Sequence, residues 1–375
     1  MKVPFINYPK AFQYHRSEYE QALLGCCERG DLVYRDDLVK FERDFAKFCG
    51  VRHCIGTGSC TNAMFISLKA LGVGFGHEVI TVSHTYVATI DVIVAAGALP
   101  VLVDIDPTTM NMDVNLLEKA VTPWTRAIMP VHLNGRMCDM DRIMEIAVKH
   151  RLFVIEDAAQ AVGSTYYGKR AGAFGETGCF SFYPAKTLGC FGEGGAVVTD
   201  DERLASILYL LRDHCEWPRY IPDPTGGHKV IHGWGYNTIL DNIQAAVLNV
   251  KMQYLDNAIK RRCEIAGMYE DGLHDIECGV RLPPPPSHWQ YHDAFQNYVI
   301  QCKDRDTLKW HLEQNGIETL ISWQTPNHKQ PGLQFSLNLP VTEKVSAEVL
   351  SLPCYPELLD DEVAHVIKTT RSFFK

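Results

Sequence analysis

Residues 151–200 read RLFVIEDAAQAVGSTYYGKRAGAFGETGCFSFYPAKTLGCFGEGGAVVTD, and this stretch decides the fold. Within it the apolar runs FVIED, CFSFY and AVVTD are separated by polar and glycine-rich turns. Short runs that are apolar throughout are typical of strands covered on both faces. The stretch therefore predicts neighbouring strands of a buried sheet.

The same pattern extends back from this stretch to residue 53. The apolar runs HCIGTG, HEVITV, LPVLVDID and RAIMPVHL alternate with the helical stretches TNAMFISLKALG, TIDVIVAAG and CDMDRIMEIAVKH. Alternating strands and helices predict an α/β fold, a mostly parallel sheet with helices on both faces. Ligands of such sheets lie at the carboxyl ends of the strands, so polar residues there are the candidate site residues.

The chain changes character after Asp200. Helical patterns and one apolar run, FQNYVIQC, follow, and we expect helices at 201–213, 239–273, 306–316, 343–350 and 360–372. The proline run LPPPPS at 282–287 is a rigid extended spacer and a plausible domain boundary. The elements beyond it are typical of a small α+β unit. Between the first two helical patterns, residues 216–234 form a long loop rich in proline and glycine, and such loops are usually functional or disordered.

The chain length bounds the number of domains. A length of 375 residues, at roughly 150 residues per domain, gives two or three domains. We expect an N-terminal arm with a large ligand-binding domain over 1–255 and a small carboxyl-terminal domain over 256–375.

Composition excludes several functional classes. Hydrophobic residues are 46% and charged residues 22% of the chain, and the formal net charge is −9. Nucleic-acid binding needs a basic face, which this balance disfavours. The N-terminus MKVPFINYPK lacks the apolar core of a signal peptide, and no long apolar run marks a membrane span.

The cysteines and histidines indicate neither disulfides nor metal. Thirteen cysteines are scattered along the chain with no CxxC pair, which is typical of reduced thiols in the cytoplasm. The fifteen histidines are dispersed along the chain, without a Cys/His ligand pattern. We therefore expect a cytoplasmic protein without a metal site.

Lys186 carries the strongest local signal. It lies in SFYPAK, between an apolar strand and a glycine-rich turn, and no carboxylate is nearer in sequence than Glu193. A partly desolvated lysine has a lowered pKa and is available as the neutral amine that a Schiff base requires. The alternative is an ordinary surface lysine whose ammonium reaches water.

Asp157 is the second candidate, at the carboxyl end of the run FVIED. A buried carboxylate is costly without a cationic partner, and a protonated pyridine nitrogen would be such a partner. The alternative is a helix N-cap for the residues that follow.

The stretch GTGSCTNAMFISLKALG, residues 56–72, places small residues before a helix. Backbone amides at a helix N-terminus, with the hydroxyls of Ser59 and Thr61, suit a phosphate group. It is neither a Walker A loop, since no GK[ST] follows, nor a complete dinucleotide fingerprint. A nucleotide-binding protein or an NAD oxidoreductase is therefore the weaker interpretation at the level of the fold.

Tyr86 follows the predicted strand HEVITV and could stack on a planar ligand, although a packed core tyrosine is more common. The four signals gain weight together, because each falls at the carboxyl end of a predicted strand. A phosphate cradle, a stacking aromatic, an acid for a pyridine nitrogen and a Schiff-base lysine together describe a site for pyridoxal 5'-phosphate.

Four ordered blocks of the chain resemble the DegT/DnrJ/StrS family of sugar aminotransferases. These blocks are 156–201, GYNTILDNIQAAVL at 235–248, WQTPNHKQP at 323–331 and LPVTEKVSAEVLSLPCYP at 339–356. The resemblance implies a pyridoxal-phosphate-dependent transferase of fold type I, the aspartate-aminotransferase fold. It also implies a homodimer whose active site lies at the subunit interface.

The resemblance assigns further roles. It implies that Lys186 forms the internal aldimine, that Asp157 pairs with the pyridine nitrogen and that Gln160 approaches the ring hydroxyl. Asn237 matches a residue that reaches the partner's cofactor phosphate. The remaining matches are phosphate contacts at Ser59, Cys60, Thr61 and Ser181, ring stacking by Tyr86, and sugar-side positions at Tyr183, Trp323 and His328.

The implied reaction moves an amino group from L-glutamate to the keto or aldehyde group of a sugar. We expect a nucleotide-linked keto-deoxysugar, used in polysaccharide or natural-product assembly. Related dehydratases carry histidine where Lys186 stands, so lysine favours amino transfer. Two alternatives stay open: a free sugar acid such as an octulosonate as acceptor, and a non-catalytic regulatory member of the same fold.

Three residues depart from the family's common pattern. Cys60 replaces a glycine of the phosphate turn, Ile239 replaces a frequent arginine and Asn134 replaces a frequent tyrosine. Cys60 concerns the cofactor cradle, where backbone amides still serve. We expect the other two to alter the substrate side or the subunit contact.

Overall fold

A computed structural model describes residues 1–216, 231–276, 279–285 and 287–374. Most of the predicted loop 216–234 lies outside the described residues. The strands are β1 (His53–Thr57), β2 (Glu78–Val82), β3 (Leu99–Val103), β4 (Thr125–Ile128), β5 (Phe153–Asp157), β6 (Thr165–Tyr166), β7 (Lys169–Arg170), β8 (Thr177–Ser181), β9 (Gly195–Thr199), β10 (Val280–Arg281), β11 (Ser287–His288), β12 (Tyr291–His292), β13 (Tyr298–Cys302) and β14 (Val349–Leu352).

Helices precede, connect and follow these strands. The α-helices are α1 (Tyr8–Tyr14), α2 (Arg16–Arg29), α3 (Asp36–Cys49), α4 (Cys60–Ala70), α5 (Ala88–Ala95), α6 (Val114–Leu117), α7 (Met140–His150), α8 (Glu202–Arg212), α9 (Asn242–Met252), α10 (Leu255–Leu273), α11 (Arg305–Gln314), α12 (Pro340–Glu348) and α13 (Asp360–Phe373). Short 3-10 turns lie at Glu118–Ala120, Leu133–Gly135, Asn327–Lys329 and Pro331–Leu333.

Seven strands form the central sheet, in the order β1-β9-β8-β5-β4-β2-β3. Strand β9 pairs antiparallel with β1 and β8, and the other neighbouring pairs are parallel. Each of the seven apolar runs read from the sequence supplies one of these strands. The predicted mostly parallel mixed sheet of an α/β fold is confirmed.

Both faces of this sheet are buried, which explains why its strands are apolar throughout. Successive residues of β5 enter different cores. Val154 packs in the core that contains Phe41 and Phe45 of α3, and Ile155 packs in the core that contains Ile66 of α4. Helices therefore cover the sheet on both sides and leave the ends of its strands for polar residues.

The carboxyl-terminal part forms a smaller antiparallel sheet, β10-β13-β14, over a core supplied by α10, α11 and α13. The helix predicted at 343–350 ends earlier, at Glu348, and Val349–Leu352 is strand β14. Its four residues are all buried, and Val349–Leu352 pairs with β13, so tertiary pairing overrides the helical pattern. The boundary at residue 255 stays a prediction, although α10 begins there.

The N-terminal arm contains three helices that the sequence reading left unassigned. Helix α3 buries one face on the central sheet, with Phe41 and Phe45 fully covered. Val3, which precedes these helices, packs in the small carboxyl-terminal core. Within the described residues, no helix has the length and apolar character needed to cross a membrane.

Candidate active site

The first part of the site is the turn from β1 into α4. Ser59 is the N-cap of α4, and its hydroxyl accepts a hydrogen bond from the Asn62 amide at 3.1 Å. Cys60 and Thr61 begin the helix, so their amides lack partners within it. Cys60 is buried and Thr61 is exposed. This N-terminus can bind an anion through its amides and adjacent hydroxyls.

The turn lies directly on the neighbouring strand β9 because residue 195 is glycine. A Cβ atom at Gly195 would come within 2.3 Å of the Ser59 carbonyl carbon and 2.5 Å of the Cys60 nitrogen. Gly195 also pairs with Ser181 at the end of β8. The structure therefore brings Ser59, Cys60 and Ser181 to one edge of the sheet.

Asp157 ends strand β5 and is buried. Its Oδ2 accepts a hydrogen bond from Thr89 Oγ1 at 2.8 Å, and its Oδ1 accepts one from the Ala159 amide at 3.2 Å. Burial raises the pKa of Asp157, while these hydrogen bonds and the charge of Lys186 oppose that rise. The carboxylate has hydrogen-bond donors and no ion-pair partner among the described residues.

Glu156, the preceding residue, faces the opposite side of the strand and is fully engaged. Its carboxylate accepts hydrogen bonds from the ring of His132 at 2.9 Å and from the amides of Gly172, Phe174 and Gly175 at 2.8, 2.7 and 2.8 Å. Because these donors occupy both oxygens of its carboxylate, Glu156 has a structural role. Asp157 is the carboxylate available to a ligand.

Lys186 lies in the turn after β8, where its amide donates to the Tyr183 carbonyl at 2.8 Å. Its ammonium makes no hydrogen bond or ion pair within the described ranges. Burial lowers the pKa of Lys186 below its ordinary value, and the negative charge of Asp157 opposes that shift. Desolvation thus favours the neutral amine, as the sequence context predicted.

Cys60 completes this electrostatic group. Burial and the charge of Asp157 raise the pKa of its thiol well above the ordinary value, and Lys186 opposes the rise. The thiol is therefore neutral and adds no negative charge beside a bound phosphate. The departure at Cys60 leaves the helix N-terminus able to bind an anion.

Gln160 lies three residues after Asp157, and its Oε1 accepts a hydrogen bond from the Asn134 amide at 2.8 Å. Asn134 adopts φ 57°, a left-handed conformation that asparagine tolerates. The departure at Asn134 therefore contacts the predicted cofactor residue Gln160. Ile239, the third departure, pairs with Thr57 beside the phosphate turn.

Tyr86 and Asn237 are exposed at the edge of the site. The Tyr86 side chain is 65% exposed, in the loop between β2 and α5, so its ring is free to stack. Asn237 precedes Thr238, whose carbonyl accepts a hydrogen bond from the Gly58 amide at 2.7 Å. Asn237 thus lies near the phosphate turn of its own chain, and its reach into a partner subunit stays a prediction.

The predicted sugar-side residues differ in exposure. Tyr183 is 47% exposed, while Trp323 packs its ring against His84 with centroids 5.4 Å apart. His328 is buried, with Nδ1 2.7 Å from Ser83 Oγ and Nε2 3.1 Å from Glu343 Oε1. Both ring nitrogens are engaged, so His328 ties the loop after β2 to α12, and its contact with a sugar stays a prediction.

The sequence patterns did not predict two residues of the site, Thr89 and Gln296. Thr89, in the first turn of α5, donates to Asp157 and is itself 2.8 Å from the Thr85 hydroxyl. Gln296 contacts the residues on either side of Lys186. The sequence shows Thr89 as a hydroxyl residue after a strand and Gln296 as a glutamine beside an apolar run. Neither pattern indicates which residue the side chain will contact.

The described residues fit pyridoxal 5'-phosphate. The buried Asp157 carboxylate has no ion-pair partner among the described residues, which suits a protonated pyridine nitrogen. The amine of Lys186 is unpaired and desolvated, which suits attachment to an aldehyde. The N-terminus of α4, with Ser59, suits a phosphate. Within the described part of the chain, no cluster of three or more His, Cys, Asp or Glu could hold a metal ion.

Comparison with known proteins agrees with this geometry. Residues 13–371 match the model of the DegT/DnrJ/EryC1/StrS aminotransferase family. The chain belongs to this family. The resemblance read from the four sequence blocks is therefore confirmed over nearly the whole length.

Two curated relatives of this aminotransferase family match along their full length. The erythromycin biosynthesis sensory transduction protein EryC1 of Saccharopolyspora erythraea is 40% identical, over 99% of this chain and 100% of the relative. The dTDP-3-amino-3,4,6-trideoxy-alpha-D-glucose transaminase of Streptomyces venezuelae is 38% identical, over 99% of this chain and 96% of the relative. One relative is thus named for sensing and the other for amino transfer.

A solved structure shares the complete fold of this family member. DesV of S. venezuelae, crystallised in complex with a ketimine intermediate, superimposes with a TM-score of 0.94 at 37% identity. The match covers 100% of this chain and 99% of DesV. The predicted aspartate-aminotransferase type of fold is confirmed.

Proposed function

We propose that the protein is a pyridoxal-phosphate-dependent sugar aminotransferase. It moves an amino group from L-glutamate to the keto or aldehyde carbon of a sugar. The observation that carries this proposal is a pair of groups. Lys186 is a partly buried amine with no hydrogen-bond or ion-pair partner among the described residues, and Asp157 is a buried carboxylate with no ion-pair partner there. Both lie beside the N-terminus of α4 at one edge of the sheet.

Bound pyridoxal phosphate supplies an aldehyde that takes up the amino group and a pyridine ring that accepts electrons from the substrate carbon. The N-terminus of α4 would hold its phosphate, with the hydroxyls of Ser59, Thr61 and Ser181. Asp157, whose carboxylate is oriented by Thr89, would hold a proton at the pyridine nitrogen. Tyr86 would stack on the ring, and Gln160 would approach the ring hydroxyl.

Lys186 has two tasks at Nζ. Its neutral amine would hold the cofactor at rest, and the same nitrogen, once free, would move a proton from the substrate carbon to the cofactor carbon. Both tasks require an amine that loses its proton more easily than an exposed lysine, because only the neutral form acts as nucleophile or base. The burial of Lys186 supplies that condition.

The acceptor is a nucleotide-linked keto-deoxysugar. Support comes from the relative named as a dTDP-3-amino-3,4,6-trideoxy-alpha-D-glucose transaminase, which matches this chain over its full length. A free sugar acid such as an octulosonate is the alternative acceptor. The exposed loops around Tyr86 and Tyr183 leave the outer side of the site accessible to a bulky substrate.

The glutamate half-reaction tests the activity. Purified protein loaded with pyridoxal phosphate is mixed with L-glutamate, and 2-oxoglutarate and the cofactor absorbance are followed. Wild type converts, and Lys186→Ala does not. Lys260→Ala is the matched control, because Lys260 is a surface lysine of α10 that is 77% exposed.

The acceptor is tested in the second half-reaction. Cofactor carrying the amino group is presented with dTDP- and UDP-linked keto-sugars and with free octulosonates, and the amino-sugar product is identified by mass spectrometry. Turnover of the nucleotide-linked sugars alone supports the proposed acceptor. Turnover of the free sugar acids alone contradicts it while leaving the aminotransferase activity intact.

A non-catalytic regulatory function is the second candidate, and the relative named for sensory transduction favours it. The presence of Lys186 and Asp157 with their desolvated surroundings argues against it, since a sensor needs neither. If cofactor-loaded wild type shows no glutamate half-reaction, that result would favour the regulatory function over the aminotransferase.

We also infer a homodimer that works in the cytoplasm. Exposed aromatic rings flank the Lys186 turn, with Tyr183 before it and Phe191 after it, and Tyr8 of α1 is also exposed. Such rings close to a site are typical of an interface. The twelve cysteines of the described residues are free thiols, which suits a reducing compartment.

A further inference from the structure

The turn that carries Lys186 is held by one side chain from the carboxyl-terminal part of the chain. Gln296 Oε1 accepts hydrogen bonds from the Thr187 amide at 2.6 Å and the Thr187 hydroxyl at 3.0 Å. Gln296 Nε2 donates to the Ala185 carbonyl at 2.8 Å. A single planar amide therefore bonds both residues next to Lys186.

These contacts fix the backbone of Lys186 itself. The Ala185 carbonyl belongs to the peptide plane before the Lys186 Cα atom, and the Thr187 amide belongs to the plane after it. Because each peptide unit is rigid, holding both planes restrains φ and ψ of Lys186 together. The direction in which its side chain leaves the backbone is set as a consequence.

Gln296 is itself held firmly. The residue is 6% exposed, and its backbone carbonyl accepts a hydrogen bond from the buried Arg262 guanidinium at 3.3 Å. The preceding residue, Phe295, has φ 45°, which is strained for a bulky side chain and persists only where packing imposes it. Gly135 packs against this backbone, since a Cβ there would lie 2.7 Å from the Phe295 nitrogen.

The next residue extends the same connection to the other side of the site. The Asn297 side-chain amide donates to Asn134 Oδ1 at 3.3 Å. The Asn134 amide in turn donates to Gln160. Residues 296 and 297, just before β13, thus connect the carboxyl-terminal part of the chain to Lys186 and to Gln160.

We propose that Gln296 is a positioning residue that sets the orientation of Lys186 for attachment to the cofactor. It acts through its hydrogen bonds to Ala185 and Thr187, on either side of Lys186. This rests on the proposed function, because Lys186 needs its orientation only if it bonds a cofactor aldehyde. A nucleophile misplaced by about 1 Å reacts on the order of 100-fold more slowly.

The test compares Gln296→Met with Gln301→Met. Gln301 lies on β13, is 7% exposed and donates to a single carbonyl, that of Pro107, at 2.9 Å. Each substitution removes a side-chain amide from a position of nearly equal burial. Only Gln296 contacts the residues on either side of Lys186. Each apo-protein is mixed with pyridoxal phosphate, and the rate of covalent attachment is followed by absorbance. The pH midpoint of the bound cofactor's absorbance is then titrated.

Positioning predicts that Q296M attaches the cofactor roughly 10-fold to 100-fold more slowly and shifts the pH midpoint, while Q301M matches wild type. Thr187→Val is the milder variant, since it removes the hydroxyl and keeps the amide bond to Gln296. We expect T187V to change the attachment rate and the pH midpoint in the same directions as Q296M, but by less. If Q296M does not fold, T187V tests the proposal in its place.

Two results would overturn the inference. One is equal attachment rates and midpoints in Q296M and Q301M; the other, where Q296M does not fold, is a T187V protein that equals wild type. Failure of wild type to attach pyridoxal phosphate at all would instead refute the proposed function. The two failures are therefore separate.

Discussion

At the scale of single residues, two desolvated groups of opposite kind define the chemistry. Asp157 is buried with hydrogen-bond donors around it, and the partly buried Lys186 amine has no hydrogen-bond partner among the described residues. The cost of desolvating each charge is offset only when a ligand brings a cation to the carboxylate and an electrophile to the amine. Their environments, rather than their residue types alone, make them a binding pair.

Asp157→Asn tests the carboxylate. The amide keeps the shape and can still accept a hydrogen bond from Thr89, but it has no charge to hold a proton on a pyridine nitrogen. We expect the rate of the glutamate half-reaction to fall by roughly 100-fold or more, with the thermal midpoint little changed. Asp271→Asn, an exposed aspartate of α10, is the control. Equal rates in the two variants would contradict the role of Asp157.

His84 makes acid stability a second test at this scale. It is buried beside Ser346, whose hydroxyl is 3.1 Å from Nδ1, and burial lowers the pKa of His84 from 6.5 to about 4. Protonation therefore favours the unfolded chain, so stability is lost as the pH falls from 6.5 towards 4.

We expect His84→Asn, which retains an acceptor near Nδ1, to remove this part of the acid sensitivity. The contribution is about 2 kcal/mol of unfolding free energy between about pH 7 and about pH 5. Urea unfolding of the apo-protein at both pH values measures it. An unchanged pH dependence in the variant would show that His84 is not the group responsible.

At the scale of elements, the contact between α4 and β9 positions the phosphate turn. Gly195→Ala introduces a Cβ 2.3 Å from the Ser59 carbonyl carbon, so the turn must move away from β9. We expect a loss of roughly 1–3 kcal/mol in stability and weaker binding of pyridoxal phosphate. Differential scanning fluorimetry and a cofactor titration measure the two effects.

Gly267→Ala is the matched control for this substitution. Gly267 lies inside α10, and a Cβ there would meet no atom within 4 Å. Because alanine is the better helix former, we expect a gain of about 0.5–1 kcal/mol and unchanged cofactor affinity. Cofactor affinity that falls equally in both variants would refute the role of the α4–β9 contact.

At the scale of the whole molecule, the proposed dimer makes a prediction by complementation. If Asn237 serves the partner's site, Lys186→Ala and Asn237→Ala proteins are each inactive alone. Heterodimers formed from the two contain one site with both residues intact. Activity that appears when the variants are mixed and allowed to exchange subunits supports a shared site. Sedimentation of wild type as a monomer, or no recovery on mixing, would contradict it.

Much of this molecule could be read from sequence because its signals are local. Apolar runs gave the seven strands of the central sheet, and polar residues at their ends gave Asp157, Lys186 and Ser59. The helix expected at 343–350 was partly wrong, since its last residues join a strand of the small sheet. Local pattern cannot register such pairing between distant segments.

Local sequence patterns and the family resemblance predict the fold class, the cofactor and the candidate residues that would bond it. How those residues are held depends on contacts that form only when the chain folds. Gln296 contacts Thr187 across 109 positions of the chain, and Thr89 contacts Asp157 across 68. Contacts of that separation follow from how the sheet and the carboxyl-terminal part pack. The side chains that orient Lys186 and Asp157 are therefore visible only in the folded molecule.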